Sequence, residues 1–83
     1  MTEDIYRQAL QTYGKEAQVE QTLEELAELI KALSTGTSDE IADELVDVQI
    51  MCKQLELFYT DEHIEDKRTE KLDKLRERID YDD

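Results

Sequence analysis

Four carboxylates stand in two pairs at helical i, i+3 spacing. Glu25 and Glu28 lie in LEELAELIKAL; Glu44 and Asp47 lie in DEIADELVDVQIM. On a helix that spacing sets two side chains next to each other on one face. Two such pairs on facing helices bring four carboxylates to one point. Oxygen ligands gathered in this way suit a hard divalent cation, Mg²⁺ or Mn²⁺.

Acidic helices carry such pairs without any function, so the weight falls on what shares their faces. Glu44, Met51 and Phe58 are spaced by seven and form one stripe, with Asp47 about 60° away at roughly 100° per residue. The polar sliver of that helix is elsewhere, at Gln49, Lys53 and Glu56. Glu44 and Asp47 thus sit at one end of a partly apolar face. A carboxylate there is paired, protonated or metal-bound, because burying an unpaired charge is costly. A salt bridge to an inward Arg or Lys is the ordinary alternative. On the preceding helix Gln18, Gln21, Glu25 and Glu28 form a polar stripe beside Leu29, away from the main apolar face. Taken alone, that stripe reads as a solvated face. Glu24 belongs to the same acidic patch, further round.

Four helices are expected to position these groups. The first spans about Thr2 to Tyr13, with Thr2 as N-cap and Ile5, Tyr6, Ala9, Leu10 and Tyr13 on one stripe. Gly14 ends or bends it. The second spans about Lys15 to Ser34, with Val19, Leu23, Leu26, Ala27, Ile30 and Leu33 inward. Gly36 then offers a left-handed C-cap. Thr37 or Ser38 caps the third helix, whose first turn holds Asp39 and Glu40, favoured by the helix dipole. That helix is expected to run to about Tyr59. A fourth follows from about Glu62 to Ile79, with apolar Ile64, Leu72, Leu75 and Ile79, and the tail DYDD frays. Arg68 occupies the apolar stripe of the fourth helix. It either snorkels outward or pairs with acids, including those of the carboxylate pocket.

The third helix is apolar on two sides. Ile41, Leu45, Val48, Cys52 and Leu55 form one face; Val46, Ile50 and Leu57 form another. A helix of that kind is buried on two sides. So short a four-helix chain covers both with difficulty, which points to a homo-oligomer, most simply a symmetric dimer.

The whole reads as a single all-α domain over residues 1–83, near the lower end of independent stability. The chain has no proline, 39% hydrophobic residues and a formal net charge of −13. That charge excludes a basic nucleic-acid-binding surface and disfavours an anionic membrane. It suits a metal site, a basic protein partner or simple solubility. One cysteine permits no internal disulfide, and no apolar run is long enough for a signal peptide or a membrane span, so the cytoplasm is the default. Cys52 is expected to be a buried small hydrophobe. His63 stands alone; there is no nucleophile triad and no Gly-rich phosphate loop. Tyr6, Tyr13, Phe58 and Tyr59 have the spacing of core or boundary residues.

The run YGKEAQVEQTLEELAELIKAL followed by DEIADELVDVQIMCKQL resembles the MazG-like all-α nucleoside triphosphate pyrophosphohydrolases. The family pattern is E-E-x-x-E, a short gap, then E-x-x-D, matched here by Glu24, Glu25 and Glu28, then Glu44 and Asp47. The resemblance covers roughly Tyr13 to Leu55 and is weaker in the Lys/Arg-rich fourth helix. It implies a four-helix, oligomeric MazG-like bundle, a homodimer or homotetramer, that hydrolyses a (d)NTP to the monophosphate and pyrophosphate with Mg²⁺. Glu25, Glu28, Glu44 and Asp47 would be metal ligands. Glu24 and Glu25 would be catalytic, Glu24 by ligating or by placing the attacking water. Gln18, Met51, Lys53, Phe58 and Arg68 are weaker candidates for nucleotide contacts. The chain departs from the family in its shortness and in having no Trp to stack on a base. A di-iron bundle, the nearest rival, needs a Glu-x-x-His motif on each of two helices, and none is present. From a different class, a small acidic interaction protein, such as a DNA mimic or an inactive MazG-like scaffold, also fits the charge.

Overall fold

The computed structural model describes residues 2–82 and, within the first helix, the side chains from Asp4 onward. Its elements are four helices: α1 (Thr2–Tyr13), α2 (Lys15–Thr35), α3 (Ser38–Glu56) and α4 (Asp61–Asp82), with no strand among the described residues. The Thr2 cap expected from the sequence falls on a side chain outside those described.

Each break has a local cause. Gly14 separates α1 from α2 at φ +88° and ψ 161°, a backbone region essentially reserved for glycine. Gly36 closes α2 in an extended conformation, φ −85° and ψ 166°, rather than the left-handed cap that the sequence suggested. Glycine is needed there for space: a Cβ would meet the carbonyl oxygen of Ala32 at 2.7 Å and its Cα at 2.9 Å. Thr37 then caps α3 through a capping box. Its Oγ1 accepts from the Glu40 amide at 3.2 Å, and the Glu40 carboxylate accepts from the Thr37 amide at 3.4 Å. The two-residue connection makes α2 and α3 an antiparallel hairpin.

Helix α3 stops at Glu56, three residues short of the expected end; the Leu57 amide bonds back to the Gln54 carbonyl, and the chain turns through Phe58 and Tyr59. Helix α4 is longer than expected and carries DYD of the acidic tail as helix.

α2 and α3 form the principal packed pair, and α1 lies against both. α4 has no comparable contact with any of them. The molecule is accordingly extended, with a radius of gyration of 15.5 Å, where a compact globule of this length has about 12 Å. Of the expected apolar stripe of α4, Ile64 is half-buried, while Leu72, Leu75 and Ile79 are exposed.

The face of α2 that meets α3 differs from the expected one. Val19, Leu23, Leu26, Ile30 and Leu33 are exposed, and Ala27 with them. The seam is built instead from the neighbouring stripe, Gln18, Thr22, Glu25, Leu29 and Ala32. Opposite it, Ile41, Glu44, Val48, Met51, Gln54 and Leu55 are buried or half-buried. The physical reason is pairing. The polar stripe is satisfied inside the seam, where Gln18 Nε2 donates to Gln54 Oε1 at 2.6 Å and Thr22 Oγ1 donates to the Gln18 carbonyl at 2.7 Å. Leu45 and Cys52, expected on the core face of α3, are exposed; the seam is rotated towards Glu44 and Met51. On the second face Leu57 is half-buried, while Val46 and Ile50 remain exposed.

Candidate metal centre

Seam packing brings the two acidic motifs together. Glu25 of α2 and Glu44 and Asp47 of α3 each offer a carboxylate oxygen, and these oxygens lie within 4.8 Å of one another. Glu25 and Glu44 are half-buried in the seam; Asp47 is at its exposed edge. One helical turn from Glu25, Glu28 is exposed and lines a cleft of about 150 Å³ that also includes Lys31, Glu40, Asp43 and Glu44. Glu28 is outside the close triad but near enough to act on Glu44.

Glu44 carries the tension of the site. Its Oε2 is buried without a hydrogen-bond partner. Desolvation pushes its pKa above the ordinary 4.5, and the charges of Asp47, Glu25, Glu28 and Asp43 push it in the same direction. The expected ordinary alternative, a salt bridge to an inward Arg or Lys, is not formed among the described residues: Lys31 lines the same cleft, but no ion pair reaches Glu25, Glu28, Glu44 or Asp47. Glu25 has one neutral partner, Gln21 Nε2, which donates to its Oε1 at 2.8 Å.

The remaining candidates are scattered. Glu24 is exposed on α2 and outside the triad. Met51 is buried in the seam, 6% exposed. Gln18 is engaged by Gln54. Phe58 has left the Glu44 stripe because α3 ends before it, and its ring lies under the Lys15 ammonium, 4.7 Å from the centroid. Lys53 pairs with Glu56 at 3.6 Å. Arg68 does not turn to the triad: it bonds Glu65 at 2.8 Å and approaches Glu56 at 3.9 Å. These three ion pairs belong to the end of α3 and the start of α4. There Tyr6, Lys53, Glu56, Leu57 and Ile64 frame a second cleft of about 320 Å³.

Sequence reasoning missed the Gln18–Gln54 pair. The signal was available: Gln18 shares the 3–4 spacing of Thr22, Glu25, Leu29 and Ala32.

No helix among the described residues is long and apolar enough to cross a membrane. No protein-family model, curated protein or solved structure matches the chain.

Proposed function

We propose that the protein is a Mg²⁺-dependent nucleoside triphosphate pyrophosphohydrolase of MazG-like type, acting on a (d)NTP as a homo-oligomer. The observation that carries this reading is Glu44 Oε2, a buried carboxylate oxygen with no hydrogen-bond donor, set among acids and, among the described residues, in no ion pair. A divalent cation supplies what that oxygen lacks. The donor set fits: all-oxygen, anionic, open on the Asp47 side and accepting Mn²⁺ as well as Mg²⁺. Glu25, Glu44 and Asp47 would hold the ion, with Glu28 joining after a side-chain rotation.

When bound, the ion would neutralise charge on a triphosphate, which these acids would otherwise repel. Glu24 is exposed beside Glu25 and free to position a water for attack on phosphorus. The cleft beside Glu44, about 150 Å³, is below the roughly 300–1,000 Å³ of most small-molecule sites. It suits an ion and phosphate oxygens, and the base must find its contacts elsewhere. The resemblance of the E-E-x-x-E and E-x-x-D motifs supplies the reaction; the geometry supports the cation.

The test is hydrolysis of a complete NTP and dNTP panel with Mg²⁺ or Mn²⁺, comparing wild type with Glu44→Gln. Monophosphate and pyrophosphate from the wild type, lost in the variant, are the expected result. Their absence across the panel rejects the hydrolase. Metal-independent binding to a basic protein would then favour the acidic interaction protein suggested by the net charge of −13.

A further inference from the structure

The cleft beside Glu44 holds a single cation among its acids. Glu28 and Lys31 of α2 line it together with Glu40, Asp43 and Glu44 of α3. Despite that company the Lys31 ammonium is in no ion pair among the described residues. Neither helix has another base to offer here. Lys15 is about 24 Å back along α2, and it lies over the Phe58 ring. Lys53, the one base of α3, is in its last turn and pairs with Glu56.

Lys31 also shares a face with the residue assigned to the attacking water. Glu24, Glu28 and Lys31 fall in one sector of α2 about 60° wide, at roughly 100° per residue. All three are exposed. Glu24 and Lys31 are seven residues apart, about 10 Å along the axis, with Glu28 between them. Helical side chains tilt towards the N-terminus, so the stem of Lys31 starts back along this face towards Glu28.

We propose that Lys31 binds the leaving pyrophosphate and so fixes the direction in which a triphosphate lies along α2. This rests on the hydrolase reading, with Glu24 placing the water. In that reaction the water oxygen forms a bond to the α-phosphorus. The bond from that phosphorus to the α–β bridging oxygen breaks, and the bridging oxygen leaves on pyrophosphate with the electron pair. The proton of the water passes to Glu24 and then to solvent. Attacking and leaving oxygens are roughly in line across the phosphorus. With the water at the Glu24 end of the face, the leaving oxygen points to the Lys31 end. Negative charge then develops beside Glu40, Asp43 and Glu44, which repel it. A protonated amine at that end offers positive charge and three donors where the charge appears. Lys31 stays protonated throughout; it holds the product end of the substrate and moves no proton.

The test uses inorganic pyrophosphate as the probe, titrated into the full chain in Mg²⁺, and needs no turnover. Wild type is expected to bind it. Lys31→Met, which keeps most of the stem and removes the charge, should weaken binding by about tenfold or more. Lys31→Arg should recover most of that loss. Affinity for Mn²⁺ alone should be unchanged or higher in Lys31→Met, because a cation beside the acids has gone. That contrast separates a phosphate contact from general damage to the site. Equal pyrophosphate affinity in wild type and Lys31→Met overturns the proposal, and so does a wild type that binds no pyrophosphate. A chain that hydrolyses no nucleotide but binds pyrophosphate through Lys31 keeps the contact and loses the reaction, so the two failures are distinct. With turnover, heavy-oxygen water should leave its label in the monophosphate. Label in the pyrophosphate reports attack at the β-phosphorus, with the monophosphate leaving, and overturns the direction assigned here.

Discussion

Gln18 donates a 2.6 Å hydrogen bond to Gln54 across the α2–α3 seam, where the two residues are only 7% and 4% exposed. Their bond is close to the open end of the hairpin, opposite the Gly36–Thr37 connection. Gln54 Nε2 also lies 3.7 Å from Met51 Sδ, so the pair is tied into the seam's apolar filling. Removing one partner leaves a buried amide unsatisfied, at a cost of about 1–3 kcal/mol, while replacing both by apolar groups of similar size is nearly neutral. Gln18→Leu or Gln54→Leu alone should therefore lower the urea midpoint, and the double Leu variant should regain most of the loss. Additive losses in that double-mutant cycle would show that the amides act independently.

The four helices and their order were legible because their breaks are chemical. Gly14, Gly36 and the Thr37/Glu40 box mark them without help from packing. The choice of seam was not legible in the same way. α2 offers two stripes with the same period, and amphipathic reasoning selects the more aliphatic one. The chain uses the other internally because Gln18 finds Gln54, a pairing between residues 36 apart that no local rule contains. Cys52 moved from core to surface with the same rotation. The two acidic pairs were legible as spacing, and the half-burial of Glu44 followed from its stripe with Met51. The grouping of Glu25 with Glu44 and Asp47 depended on the seam. Arg68 was legible as an anomaly on an apolar stripe, but its partners, Glu56 and Glu65, follow from where α4 leaves α3.

The two glycines should respond to alanine for different reasons. At Gly14 an added Cβ meets nothing within 4 Å, so the penalty is conformational. A non-glycine residue at φ +88° and ψ 161° costs about 1–3 kcal/mol. At Gly36 the backbone is ordinary and the penalty is steric, against the backbone of Ala32 at 2.7 Å. Gly36→Ala must displace the connection between α2 and α3, and overpacking of that kind costs about 1–3 kcal/mol. Both variants should lower the melting temperature by several degrees. Only Gly36→Ala should also weaken Mn²⁺ binding in calorimetry, because the Gly36 connection sets how α2 presents Glu25 and Glu28 to α3. Equal metal affinity in the two variants would count against that coupling.

Divalent cations should stabilise the fold. A ligand that binds only the native state at about 100 times its Kd adds about 2.7 kcal/mol. For a domain of this length each kcal/mol moves the melting temperature by roughly 4–8 °C. Saturating Mn²⁺ should therefore raise the melting temperature by an amount on the order of 10–20 °C, and chelator should reverse it. Glu44→Gln and Asp47→Asn should abolish most of the shift. Glu65→Gln, which loosens Arg68 in the other cleft, should leave it intact. A shift of equal size in Glu44→Gln would place the ion elsewhere.

Without metal, Glu44 should give the protein a recognisable pH dependence. Its pKa in the folded chain is raised above 4.5, by desolvation first and by the neighbouring acids second. A raised carboxylate favours the protonated folded state. Its contribution to stability is fully present below the unfolded value and is lost as the pH rises through the folded one. Melting temperatures in chelator, measured from pH 4 upward, should therefore fall more steeply for wild type than for Glu44→Gln. The variant keeps a neutral side chain at every pH, and above the raised value it should be the more stable of the two. Adding Mn²⁺ at neutral pH should invert that order, since the ion needs the ionised carboxylate that the variant lacks. Parallel pH curves for the two proteins in chelator would show that Glu44 is not strained by its neighbours, and would remove the main physical support for a cation at the site.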